Sequence, residues 1–120
     1  MIPVPPSGKA VAVAALKQAL PGVAVSTRMP TTRPDRHVIV SRIGGGARTF
    51  ATSDPRFLVE CYARDELAAE QLALEVEHAW KHLRSHGINY ASSDDNVAEN
   101  PSPDPNHYRV QFTGTLQIIL

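Results

Sequence analysis

From Tyr108 to Leu120 the chain alternates strictly. Tyr108, Val110, Phe112, Leu116, Ile118 and Leu120 fall on one side, and Arg109, Gln111, Thr113, Thr115 and Gln117 on the other. A period of two belongs to an extended strand with one face against apolar material and the other toward water. A strand this much longer than the usual ~5–6 residues commits the fold to a sheet with a cover on one face. Gly114 stands within the apolar row, where it marks a bulge or the close approach of another group.

Residues 65–85 provide that cover. Ala69, Leu72, Val76, Ala79, Trp80 and Leu83 recur at helical spacing and make one apolar stripe. Asp65, Glu66 and Glu70 near the amino end, with Lys81, His82, Arg84 and His86 near the carboxyl end, complement the helix dipole. Gly87 is expected to cap the helix in a left-handed conformation. A shorter helix is expected over 8–20, opened by Ser7, carrying Val13, Leu16 and Leu20, and stopped by Pro21-Gly22.

The remaining segments read as strands and loops. Residues 23–27 alternate as a short strand before Pro30 and Pro34 break the chain. His37–Ile43 and Arg56–Ala63 are rich in β-branched and apolar residues and read as an antiparallel hairpin. The intervening 44–55, which begins Gly44-Gly45-Gly46, exceeds an ordinary hairpin loop, so it extends the strands or forms a projecting flap. Ile88–Ala91 is a short strand, and 92–106, polar and marked by Pro101, Pro103 and Pro105, reads as a mobile loop. The expected fold class is α/β of the α+β kind, in one domain spanning 1–120. It has a mixed, mainly antiparallel sheet of about four to five strands, one long and one shorter helix, and a projecting hairpin.

No arrangement of reactive side chains stands out. His78, His82 and His86 lie four apart on the long helix, but Ala79 follows His78 where a zinc hydrolase would place its glutamate. The glycine triplet lacks the lysine and spacing of a phosphate loop. Ser41, Ser53 and Ser85 have no nucleophile-elbow frame, and the single Cys61 sits in an apolar run that reads as a buried thiol. Asp94, Asp95 and Asp104 lack calcium-loop spacing. The expectation is therefore no catalytic residue, no cofactor and no metal.

The longest apolar stretch, Ala10–Leu16, ends at Lys17 and is too short to span a bilayer, and the proline-rich start lacks the charge of an export signal. Basic and acidic residues balance at 12 each, but residues 1–60 carry a net +5 and residues 61–120 a net −5. Kept apart in space, the two halves would attract copies head to tail; interleaved, they would cancel. The arginines around the hairpin have no interleaved aromatics, so a base-stacking platform is not indicated.

Three segments in order carry a resemblance. Pro34-Asp35-Arg36-His37-Val38-Ile39-Val40-Ser41-Arg42-Ile43-Gly44-Gly45 resembles the strand-and-glycine segment of tail terminator (neck) proteins of long-tailed bacteriophages of actinobacteria. Phe57-Leu58-Val59-Glu60-Cys61-Tyr62-Ala63, running into a helix, and Asp104-Pro105-Asn106-His107-Tyr108-Arg109-Val110-Gln111-Phe112 are similar to later parts of that family. The resemblance spans roughly residues 30–120. It implies a homohexameric ring that caps the tail tube, stops its elongation and meets the head connector or stopper protein. DNA would pass through the lumen without sequence-specific binding, no membrane is involved, and the protein would reside at the tail–neck junction after assembly in the host cytoplasm. The family offers no catalytic residues. Candidate subunit or partner contacts are Arg36, Arg42, Arg48, Phe50 and Arg109. Three alternatives stay open on the residues alone: another neck or head-completion adaptor, a nucleic-acid-binding module using the arginines of 28–56, and a small metal or thiol enzyme using the histidine row or Cys61.

Overall fold

The chain forms, in order, α1 (Gly8–Ala19), β1 (Ala24–Ser26), β2 (His37–Ala47), β3 (Thr52–Ala63), α2 (Glu66–Lys81), β4 (Ile88–Ser93), β5 (Ala98–Asn100) and β6 (Tyr108–Ile119). The structure is a computed structural model and describes residues 4, 6–47, 49 and 51–120. Among the described residues the strands form one curled, six-stranded sheet of order β1-β2-β3-β6-β4, with β5 also on β6. β1 runs parallel to β2, and every other pairing is antiparallel. The mixed, mainly antiparallel class expected from the sequence is the one observed, with one strand more than the upper expectation.

Local chemistry explains the elements. Ser7 Oγ accepts from the Ala10 amide and Asp65 Oδ1 from the Ala68 amide, so each helix opens on a side-chain cap. α1 buries Ala12, Ala15 and Leu16, and α2 buries Ala69, Leu72, Ala73, Val76 and Trp80. Both helices lie on the same face of the sheet, against Val38 and Val40 of β2, Phe57, Val59 and Cys61 of β3, and Val110, Phe112, Leu116 and Ile118 of β6. Burial of such side chains, at roughly 1.5–3 kcal/mol for each large one, holds this layer together. Cys61 is fully buried there, and burial pushes its thiol pKa up, so it packs as a small apolar residue.

Three expectations are corrected. α2 ends at Lys81 with His82 as its cap, so Gly87 does not close the helix; at φ 84° it forms the turn into β4, where its carbonyl accepts from the Ile119 amide at 2.9 Å. Within the apolar stripe, Ala73 takes the buried place expected of Ala79, which is half-exposed. The segment 92–106 is not a free loop: β4 continues to Ser93, β5 pairs with β6, and Asp104 is buried. Polar side chains, not apolar ones, anchor it.

Gly114 sits where the alternation of β6 requires an inward residue, opposite Phe57 of β3 and Ser93 of β4. A Cβ there would lie 2.6 Å from Trp80 Nε1 and 2.7 Å from the Ser92 carbonyl oxygen. Trp80 donates Nε1–H to that carbonyl at 2.9 Å and meets Phe57 and Phe112 edge-on, with ring centroids 5.5 and 6.2 Å away. The glycine is the slot through which the helix reaches β4.

Candidate functional site

On the helix-free face the lower end of the sheet is covered by the two proline-rich segments. His37, the first residue of β2, stacks on Tyr62 with centroids 4.8 Å apart and meets His107 edge-on at 5.2 Å. His37 Nδ1 and His107 Nε2 both donate to the Pro34 carbonyl oxygen, at 3.3 and 3.1 Å. His107 Nδ1 faces Asp104 Oδ2 at 2.7 Å, and the same oxygen lies 2.8 Å from Arg33. The Asn106 amide donates to Asp104 Oδ1 at 2.9 Å. Next to this cluster, Arg109 donates to Glu60 at 2.8 Å and to the Pro101 carbonyl, and Tyr62 donates to Glu60 at 3.1 Å. The network ties residues 29–36 and 101–107 to the sheet.

An Asp–His pair with Ser102 nearby invites a hydrolase reading, but the bonds oppose it. The His107 ring is buried, with Nδ1 facing the Asp104 carboxylate and Nε2 the Pro34 carbonyl, so neither nitrogen faces a hydroxyl. The Ser102 hydroxyl oxygen accepts from the Asp104 amide at 3.0 Å. The pair fastens loops.

This latch gives stability a pH dependence with a definite sign. Burial lowers the His37 pKa from its ordinary 6.5, with His107 and Arg33 acting the same way against the Pro34 bond and the Asp104 charge. The unfolded chain then takes up a proton as pH falls through about 6.5 while the folded chain resists it, so stability is flat above about pH 7.5 and declines below. The Asn106 amide, then Arg33 and His107, hold the Asp104 carboxyl well below the usual carboxylate range, so its contribution is present above about pH 4 and lost under acid. The urea midpoint of the unmodified chain should drop between pH 7.5 and 5.5. His37→Phe, which keeps a ring on Tyr62 without titrating, should flatten that drop; an equal drop in both chains would contradict the assignment.

The upper end of the sheet carries the hairpin arm of β2 and β3 that the length of 44–55 anticipated, in a molecule of 49 × 28 × 23 Å. β1 pairs only with His37–Ile39, so among the described residues no strand lies beside 40–47 of β2, which form an outer edge; β4 is the outer strand opposite. A bulge interrupts β2 between Arg42 and Gly44. Arg42 braces it, donating from Nε and Nη2 to the carbonyls of Gly44 and Gly45, each at 3.1 Å. Gly45 has φ 79°, and a Cβ there would overlap the Asp54 carbonyl oxygen and stand 2.8 Å from the Arg56 amide nitrogen. Along this end of the helix-free face run Thr52, Arg56, Thr113, Thr115 and Gln117. Arg56 pairs with Asp94, and Asp94, which also accepts from the Thr113 hydroxyl, has its pKa lowered, first by that hydroxyl and then by Arg56.

The residues singled out from the sequence fall in different places. Arg42 is exposed on the arm, while Arg48 and Phe50 lie outside the described residues. Arg36 reaches Glu75 of α2 at 3.4 Å, and Arg109 is turned into the Glu60–Tyr62 network with 17% of its side chain exposed. Arg33, Arg36 and Arg56 of the basic half pair with Asp104, Glu75 and Asp94 of the acidic half, so in these pairs the two halves interleave. The histidine row is broken: His82 Nδ1 donates to the His78 carbonyl at 2.7 Å, and His86 sits beyond the helix at φ 57°. Among the described residues no group of three or more His, Cys, Asp or Glu is placed to hold a metal ion, and no helix is long and apolar enough to cross a membrane.

Two helices on one face of a curled, largely antiparallel sheet, with an arm at one end and no gathered reactive groups among the described residues, define the class of this domain. The chain is similar in fold to a chain of the virion of a native gene transfer agent particle, with a TM-score of 0.61 and 13% identity over 89% of this chain and 86% of that one. No protein-family model matches the sequence, and no curated protein does either.

Proposed function

We propose that this chain is a structural virion protein of a phage-like particle, and within it the tail terminator: a homohexameric ring that caps the tail tube, ends its elongation and joins it to the head connector. The observation that carries this reading is the shared fold over nearly the whole of both chains with a component of a gene transfer agent virion. The resemblance of the successive segments 34–45, 57–63 and 104–112 to tail terminators favours that role within the particle. The surface chemistry supports an adaptor. The upper helix-free face is polar, with Arg56 and Asp94 neutralising each other, which suits a lumen through which DNA slides without being held. Arg42, exposed on the arm, is assigned to contacts with a neighbour or the tube, as are Arg48 and Phe50 from the sequence reading alone, whereas Arg36 and Arg109 bond within the chain. The test is tube growth. Added to polymerising tail-tube protein, the chain should arrest elongation and appear at one end of each tube; tubes that grow to the same length with and without it would overturn the terminator reading.

A further inference from the structure

We infer that the ring is closed by strand pairing between two sheet edges, the outer edge of β2 at residues 40–47 on one copy and the outer edge of β4 on the next, with Tyr90 of one copy lying over Gly46 of its neighbour. The inference rests on the ring reading above and assigns its seam.

The registers put the two open edges at one level. Gly46 is opposite Asp54, and Tyr90 is opposite Gln117. Because Ser53 is opposite Ile118 and Arg56 opposite Thr115, Asp54 and Gln117 share a row, so Gly46 and Tyr90 mark opposite ends of the same row. Likewise Ala47, Ser53, Ile118 and Ile88 form one row, and Gly44, Arg56, Thr115 and Ser92 another. Strand direction agrees. The path β2-β3-β6-β4 contains only antiparallel steps, so β2 and β4 run in opposite senses. Copies related by rotation alone therefore present β2 and β4 to each other as an antiparallel pair. A contact between two different edges at equal level is heterologous, and it closes into a ring instead of climbing into a filament.

Side chains supply a second, independent observation. Gly45 is glycine because its backbone and its neighbours demand it, but Gly46 is not: its φ is outside the left-handed region, and a Cβ would meet nothing within 4 Å. Nothing among the described residues accounts for bare backbone at this position. Tyr90, at the same level on the other edge, is a large ring left 57% exposed, with the Arg84 guanidinium 5.7 Å from its centroid. An aromatic placed over a cross-strand glycine shields the exposed backbone of that strand, and such pairs help fix register. An unpaired edge as long as 40–47 also invites a partner strand.

The experiment uses Gly46→Cys and Tyr90→Cys as separate full-length chains; Cys61 is fully buried and stays silent. Circular dichroism checks that each variant folds, and light scattering checks that rings form. Mild oxidation of the mixture should give a disulfide-linked pair on a non-reducing gel, while each variant alone stays monomeric there. Tyr90→Lys should weaken ring formation at least tenfold with an unchanged circular dichroism spectrum. Rings that form while the mixture fails to cross-link, or in which either single variant links to itself, would overturn this seam and leave the ring reading standing. A mixture and an unmodified chain that never form rings would overturn both.

Discussion

Gly114→Ala is expected to destabilise the fold by about 3 kcal/mol, a fall of about 10 °C in the thermal midpoint of a chain this size. In a strand with room to spare the same change would stabilise by roughly 0.5–1 kcal/mol, because alanine loses less backbone freedom on folding. Here the new methyl meets Trp80 Nε1 at 2.6 Å and the Ser92 carbonyl at 2.7 Å. Trp80 is wedged between Phe57 and Phe112 and cannot swing away, so the methyl forces α2 outward and stretches the Trp80–Ser92 hydrogen bond. Overpacking of about 1–3 kcal/mol and a weakened buried bond of about 0.5–1.5 kcal/mol add to the expected loss. Trp80→Phe removes the indole nitrogen, so in that background the alanine should cost less by about 1 kcal/mol, a coupling that a double-mutant cycle in urea would read. Simple additivity would show that the two residues are not the contact described.

Gly45→Ala should instead leave the core nearly as stable and disable assembly. An alanine at φ 79° costs about 1–2 kcal/mol, and its methyl would strike the backbone of the facing strand at Asp54 and Arg56, which no rotamer change relieves. The arm beyond Arg42 must open. β3 keeps its pairing with β6 and the layer beneath is untouched, so the thermal midpoint should move by only a few degrees. If the arm's edge forms the seam, ring formation should weaken more than about tenfold, the equivalent of 1.4 kcal/mol. Rings as stable as those of the unmodified chain would show that the shape of the arm is not used.

The elements most legible in the sequence were those written as a period. The alternation of β6 and the stripe on α2 follow from how a strand or helix presents side chains, so the type of each element and most of its buried face could be read locally, whereas the end of α2 at Lys81 and the place of Ala73 in its stripe could not. Gly114 was legible as a close approach, though not the indole that approaches it. The latch was not legible, because its bonds join residues as far apart as Pro34 and His107, and its polar, proline-rich segments have the composition of free loops. Its one local signal was the short spacing of Asp104, Asn106 and His107, a side chain placed to bond its own turn. Arg36 and Arg109 looked like partner contacts because a linear sequence does not display Glu75 or Glu60 beside them. The open edges of β2 and β4 needed strand order and register, which periodicity alone does not carry.

The central claim is that copies of this chain close into a ring, and the mass of the unmodified protein in solution tests it most directly. Light scattering over a range of protein and salt concentrations, with negative-stain images of the same samples, should give one discrete species of hexamer mass seen as closed rings. A chain that stays monomeric at every concentration, alone and with tail-tube protein, would contradict the account.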